Sequence, residues 1–242
     1  MDVFYQAARE ALRLLFSADP YVRDILWASL RVSGAAVVLG LLLGLPVGIA
    51  LGIARFRGRS IAVALVHTGF ALPPVVVGLF VYMLLSRAGP GGALELLFTP
   101  TAMVAAQALL AAPYIAGISL AAVQAVPRDV RMQARGLGAS RARALWTHVR
   151  EARLGLGAAA VAGFGAVISE VGAVMMVGGN ILGETRVMTT AIVLETRRGN
   201  FGTALALGLV LLALAFAVNI ALTRAQQGRG GGFAAATRRE WS

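Results

Sequence analysis

Apolar residues run through five long stretches of the chain, at about 32–54, 61–85, 101–123, 154–178 and 202–223, and polar residues gather between them. Each stretch reaches the roughly 20 residues of helix needed to cross a bilayer core. Four carry no charged residue and the fourth carries one, Glu170. The pattern predicts an all-α, polytopic membrane helix bundle with five transmembrane helices. The opening residues differ. In VFYQAAREALRLLF, Phe4, Ala8, Leu12 and Leu15 share one helical face while Gln6, Arg9, Glu10 and Arg13 share the other, which predicts an interfacial amphipathic helix. Asp2 and Glu10 break the basic-then-apolar order of a signal peptide. The expected organisation is an interfacial segment at 1–24, a transmembrane domain at 25–225 and a Gly-rich tail at 226–242, expected to be disordered.

Composition agrees with this class. The chain is 58% hydrophobic and only 14% charged, with a mean hydropathy of +0.78, whereas about 25% of a soluble domain is charged. The absence of Cys excludes disulfides, thiolate metal sites and Cys nucleophiles. All 22 basic residues are Arg, which reads as a mutational bias of the genome, and the net charge is +11. A nucleic-acid partner would need a basic face interleaved with aromatics. Here the Arg residues flank apolar spans, and the partner they imply is membrane lipid. Placing 55–59, 124–153 and the tail after 223 on one side collects 14 Arg against three acids. By the positive-inside rule that side is cytoplasmic, with the N-terminus outside.

Several features inside the spans bear on chemistry. Gly40, Gly44, Gly48 and Gly52 recur every fourth residue, so one face of the first span has almost no side chains. Such a face lets backbones approach closely, and packing within one chain is preferred over a subunit interface. Pro73-Pro74 must break or kink the second span and free backbone carbonyls there. Lining of a transport path and an ordinary kink remain equal alternatives. Counted from Arg153 at 1.5 Å per residue, Glu170 lies about 25 Å from the cytoplasmic side. An intramembrane acid is costly and a candidate functional group. It is expected to pair with Arg31, at the outer end of the first span, or with backbone donors; bracing a gate and a fixed structural role both stay open. Ser169, Asn180, Thr189 and Thr190 offer hydroxyl or amide hydrogen-bond donors, with local capping the preferred role for the two threonines. Arg186, Arg197 and Arg198 flank TTAIVLET, which has the pattern of a short extracytoplasmic helix.

Two features are discarded. GGNILGET at 178–185 imitates a phosphate loop, but Glu184 stands where Lys is required and no strand precedes it. His67 and His148 are isolated, which points to packing or solvation and to no metal site. A self-sufficient transporter or channel would be expected to show internal repeats and several intramembrane ionisable groups. The sequence offers no convincing repeat and one acid.

Between the third and fourth spans, 127–153 carries two amphipathic stripes separated by glycines. Val130, Ala134 and Leu137 face away from Arg128, Arg131 and Arg135; then, after Gly136 and Gly138, Ser140 can cap a second stripe of Ala142, Leu145, Trp146, Val149, Ala152 and Leu156. This predicts a helix-turn-helix on the cytoplasmic face with the geometry of a docking surface.

GLGAS at 136–140, between two spans, resembles the coupling loop of permease subunits of ABC importers, whose pattern is E-A-A, three residues, Gly, and later I-x-L-P. Gly138 matches the motif glycine and Ala134 the second alanine, with Leu137 and Ala139 as neighbours. Met132, Gln133 and Arg150-Glu151 depart from the pattern. LPPVVVGL, VAGFGAVISEVGAVMMVGGNI at 161–181 and ETRVMTTAIVLETRRGNFGTALALGLVLL at 184–212 resemble the oxyanion branch, serving molybdate, tungstate and sulfate, and most closely the tungstate permeases. The resemblance implies a homodimer with the path between protomers, two copies of an ABC ATPase subunit, and an extracytoplasmic substrate-binding protein. It implies no cofactor on this chain, with ATP and Mg held by the ATPase, and location in a bacterial or archaeal cytoplasmic membrane. The implied coupling residues are Ala134, Arg135, Gly136, Leu137, Gly138, Ala139 and Ser140. The candidate gate and path residues are Ser169, Glu170, Asn180, Arg31, Pro73 and Pro74.

Overall fold

The computed structural model describes residues 20–228, together with Tyr5, Arg9, Glu10, Leu12 and Arg13, and all its regular elements are helical. The five separate N-terminal residues are helical. Phe4, Gln6, Ala8 and Leu15 of the expected amphipathic helix, and the tail from 229, lie outside the described residues.

Helix α1 spans Pro20–Ile53. It begins 12 residues before the apolar stretch because nothing between 20 and 31 breaks a helix. Pro20 suits its first turn, and Arg23 and Asp24 keep their side chains in solvent. The expected second span is two helices, α2 (Arg59–Thr68) and α3 (Pro74–Leu85). A 3₁₀ turn, Gly69–Ala71, separates them, and their axes differ by 98°. The cause is the proline pair: Leu72 and Pro73, each followed by proline, are extended at ψ 119 and 122°. Pro74 then starts α3, where a missing N–H costs nothing.

Helix α4 (Pro100–Ala125) starts at Pro100, with Thr99 Oγ1 accepting from the Ala102 N–H at 3.4 Å. Two short helices follow, α5 (Asp129–Gly136) and α6 (Arg141–Glu151). The expected fourth span is also broken, into α7 (Arg153–Ile168) and α8 (Gly172–Gly178). Helices α9 (Met188–Arg197) and α10 (Phe201–Gly228) complete the chain. Among the described residues α1, α4 and α10 are individually long and apolar enough to cross a membrane, and the number reaches five if the bent pairs α2–α3 and α6–α7 each count as one span.

Helix α4 is the centre: 61% of its apolar window is buried, against 17% for α10. Helices α1, α7, α8 and α3 pack around it. The glycine face of α1 is what brings α4 close. A Cβ on Gly40 would lie 2.9 Å from Ala111 Cβ, one on Gly44 2.6 Å from the Ala112 carbonyl, and one on Gly52 2.8 Å from Val123 Cβ; at Gly48 it would strike the Ala116 carbonyl. The stripe therefore packs within the chain. On the other side of α1, Val38, Leu42, Leu43 and Val47 are exposed, as a lipid-facing surface requires. The turn after α2 docks on α4 in the same way. Gly117 leaves room for the Phe70 ring, which stacks on Tyr114 with centroids 4.9 Å apart, and Tyr114 Oη donates to the Phe70 carbonyl at 3.2 Å.

Replacing Gly48 by Leu is expected to destabilise the purified chain by about 1–3 kcal/mol, the usual cost of overpacking. Gly34→Ala, where no atom lies within 4 Å of the added Cβ, is expected to raise stability by roughly 0.5–1 kcal/mol. Thermal unfolding in detergent compares the two.

Candidate functional site

Two regions hold the residues singled out in the sequence. At one end of the bundle the chain leaves α4, forms α5, turns, and forms α6. Ala134 N-terminal to the turn accepts from the Ala139 N–H at 3.0 Å, and Arg135 accepts from the Gly138 N–H at 3.0 Å. This nested pair of bonds closes a Schellman motif. It requires a left-handed residue at its apex, and Gly138 has φ 85°. Ser140 then caps α6, its Oγ accepting from the Arg143 N–H at 3.3 Å. The N–H groups of Leu137, Gly138 and Ala139 are thus occupied locally, while the apolar side chains are not. Leu137 is 89% exposed, and Met132 and Trp146 are also exposed. Gly136 and Gly138 have open space around them.

The inner face of this helix pair is tied down. Ala144 and His148 of α6 are buried, and His148 Nε2 lies 3.1 Å from the Val123 carbonyl at the end of α4. Because a carbonyl only accepts, Nε2 carries the proton. Helices α6 and α7 meet at Ala152, which ends one and begins the other at a 55° bend.

At the far end of α7 the second region forms where two helix breaks meet. A Cβ on Gly78 of α3 would lie 2.7 Å from Ala173 Cα of α8, and one on Gly172 2.8 Å from Val75 Cγ2. The Pro73-Pro74 turn and the Ser169–Val171 break are consequently neighbours. Glu170 stands at this junction, half-buried. Its Oε1 accepts from the Ala173 N–H at 3.1 Å, in the first turn of α8, where no helical carbonyl is available. Its backbone carbonyl accepts from Thr189 Oγ1 at 2.9 Å, holding α9 to the break. Of the two expected partners the structure shows the backbone donor. Arg31 is elsewhere, its guanidinium 4.7 Å from the Trp27 ring centroid, and no ion pair joins it to Glu170 among the described residues. Distance along α1 had suggested the pair; the side chain instead finds an aromatic face one turn back, a cation–π arrangement.

The polar residues around the junction are occupied as well. Ser169 Oγ donates to the Gly165 carbonyl at 3.2 Å. Asn180, left-handed at φ 55°, accepts from Arg186 at its side chain and its backbone carbonyl, both at 3.2 Å. Arg186 is thereby bound inside the fold, and Arg198 is paired with Glu195 at 3.1 Å; Arg197 is exposed. Thr190 closes on the Val187 backbone at the start of α9.

Two residues escaped the sequence reading. Thr185 is buried; its Oγ1 accepts from the Ile181 N–H at 2.9 Å and donates to the Gly178 carbonyl at 2.5 Å, closing the loop after α8. Gln107, two turns into α4, donates from Nε2 to the Val167 carbonyl at 2.9 Å, two residues before the break at Ser169, and its buried Oε1 has no partner among the described residues. A lone amide inside an otherwise apolar span was the available signal for Gln107. Nothing in GGNILGET distinguished Thr185.

Comparison with known proteins follows the same lines. The family of binding-protein-dependent transport system inner membrane components matches residues 44–229. A probable anion ABC transporter permease protein of Haloferax volcanii is 46% identical over 82% of the chain and 88% of its own length. The tungstate uptake system permease protein of Peptoclostridium acidaminophilum is 39% identical over 94% of the chain and 100% of its own length. Among solved structures, an inward-facing MetNI methionine ABC transporter superposes with a TM-score of 0.67 at 18% identity, covering 86% of this chain and 95% of that one, a likeness of fold.

Glu170→Ala is expected to lower stability by about 1–2 kcal/mol by leaving the buried Ala173 N–H without a partner. Glu170→Gln keeps an accepting oxygen and is expected to stay close to the wild type. Paired thermal melts distinguish this cap from a role for the charge itself.

Proposed function

We propose that this chain, which belongs to the family of binding-protein-dependent transport system inner membrane components, is the permease of an ATP-binding cassette importer for a tetrahedral oxyanion, with tungstate the favoured cargo. The observation that carries the permease reading is the exposed Leu137–Ser140 turn, apolar at its tip and with its Leu137, Gly138 and Ala139 N–H groups bonded within the protein, leading into a helix that bends directly into α7. The Leu137 side chain gains nothing from water and gains apolar burial in a cleft. The cargo assignment is supported by the 39% identity with a tungstate uptake permease over nearly the whole chain.

The coupling segment 127–153, with Ala134, Arg135, Gly136, Leu137, Gly138, Ala139 and Ser140 at its turn, docks on an ATPase subunit. This chain is not an enzyme: ATP and Mg are bound and ATP is cleaved on that partner. Two copies of this chain form the path between them, with one ATPase each, and an extracytoplasmic binding protein delivers the anion. The arginine-rich coupling end faces the cytoplasm, the N-terminus lies outside, and 25–225 form the transmembrane domain. Closure of the ATPases pushes α6, α7 follows, and the movement reaches the junction of Glu170 with the Pro73-Pro74 turn, where Ser169, Glu170, Pro73 and Pro74 form the gate. Arg31 and Asn180 border it from outside, Arg31 beside the Gly183–Glu184 loop. Glu170 acts there by fixing the N-terminus of α8, and its negative charge does not touch the anion.

Leu137→Asp is expected to leave the fold intact, because the side chain contacts little of its own protein. Co-purification with the ATPase should fall by tenfold or more, since a carboxylate would have to be desolvated in the cleft. Unchanged co-purification and ATP hydrolysis in that variant would remove the docking role.

A further inference from the structure

Between the end of α1, the α1–α2 linker, the end of α4 and the two coupling helices lies a cavity of about 320 Å³. Four arginines line it, Arg55, Arg59, Arg128 and Arg131, and its remaining walls include Gln124 and His148. No acidic side chain lines it, and among the described residues none of these four arginines takes part in an ion pair. Among the described residues, their side chains make one hydrogen bond, from Arg59 Nε to the Leu51 carbonyl at 2.9 Å. Arg59 and Arg131 are half-buried, so the charges are not simply dispersed in water.

The second observation is His148. The side chain is 3% exposed, and with Nε2 committed to the Val123 carbonyl, its buried Nδ1 has no partner among the described residues. Burial, and after it the positive charge of Arg131, hold its pKa below the ordinary 6.5. A cavity walled by four arginines is short of negative charge and of acceptors for their N–H donors at once. A tetrahedral oxyanion supplies both. It accepts fork-shaped hydrogen bonds from guanidinium groups and offsets the repulsion from Arg131.

We propose that Arg55, Arg59, Arg128 and Arg131, backed by the buried His148, form an oxyanion-binding site for a phosphate-like group, joining the α1–α2 linker to the coupling segment. The group is either a free inorganic oxyanion or the headgroup phosphate of an anionic lipid. Its consequence for coupling rests on the permease reading above; the site itself does not. An anion there ties Arg55 of the α1–α2 linker and Arg59 at the start of α2 to Arg128, just before α5, and Arg131 on α5, and so restrains the segment that α7 follows.

The test is binding of inorganic phosphate and of tungstate to the purified full chain in neutral detergent, read by calorimetry or thermal shift. Saturable binding is expected, weakened about tenfold or more in Arg128→Gln/Arg131→Gln and in Arg55→Gln/Arg59→Gln, the scale of losing a charge-assisted hydrogen bond. Arg57→Gln, an exposed arginine of the same linker outside the cavity, should bind as the wild type does. Repeating the titration in phosphatidylcholine nanodiscs with and without phosphatidylglycerol separates the sources. A lipid headgroup as occupant predicts competition by phosphatidylglycerol that the double variants abolish, and a free oxyanion predicts none; either result supports the site. Absent binding, or binding equal in wild type and both double variants, overturns it. So does a third result, no oxyanion binding with the double variants weakening only ATPase association, which assigns these arginines to an acidic protein surface. Binding needs neither ATPase nor binding protein, so failure here leaves the transport reading standing, and failure of transport leaves this site standing.

Discussion

The contact on which the rest of the structure depends is the close approach of α1 and α4. Four glycines on one face of α1 meet Ala111, Ala112, Ala116 and Val123 of α4, a face of small residues on which backbones gain dispersion contact that lipid tails do not supply. With α4 held at the centre, its other sides receive α7, α8 and the turn after α2. Gly163 of α7 meets Ile115, and Gly178 of α8 meets Met103, so the same device recurs at each approach.

That frame makes two interruptions tolerable. In hydrocarbon a broken helix leaves backbone groups unpaired at a cost of several kcal/mol each. At the Pro73-Pro74 break the prolines remove the donors themselves. At the Ser169–Val171 break Glu170 accepts from Ala173, Thr189 donates to Glu170, and Gln107 reaches the Val167 carbonyl. The two breaks then pack on each other through Gly78 and Gly172. An irregular, internally paired junction of this kind can change shape without exposing bare backbone to lipid, and it sits at the end of the helix whose other end bends into α6.

The sequence revealed the parts with a strong local signal. Apolar length located α4 and α10 within a few residues, the spacing of Gly40 to Gly52 identified the face that packs inside the chain, and two amphipathic stripes about Gly138 announced the helix-turn-helix. The Pro73-Pro74 pair declared a break but not its angle, because 98° is set by where Gly69 and Phe70 dock on α4. The break at 169–171 had no proline to mark it. It follows from the tertiary packing of Gly172 and Ala173 against α3, which hydropathy does not record. Pairing Glu170 with Arg31 failed for a related reason: depth along two helices is readable from residue counts, but which faces meet is not.

The measurement that bears most directly on the central claim is ATP-dependent uptake of tungstate into proteoliposomes containing this chain, its ATPase and its binding protein. Molybdate and sulfate serve as competitors. The account predicts uptake that requires all three components and ATP, and that persists in excess molybdate and sulfate. Anion flux through this chain alone, without ATP or partners, would contradict it.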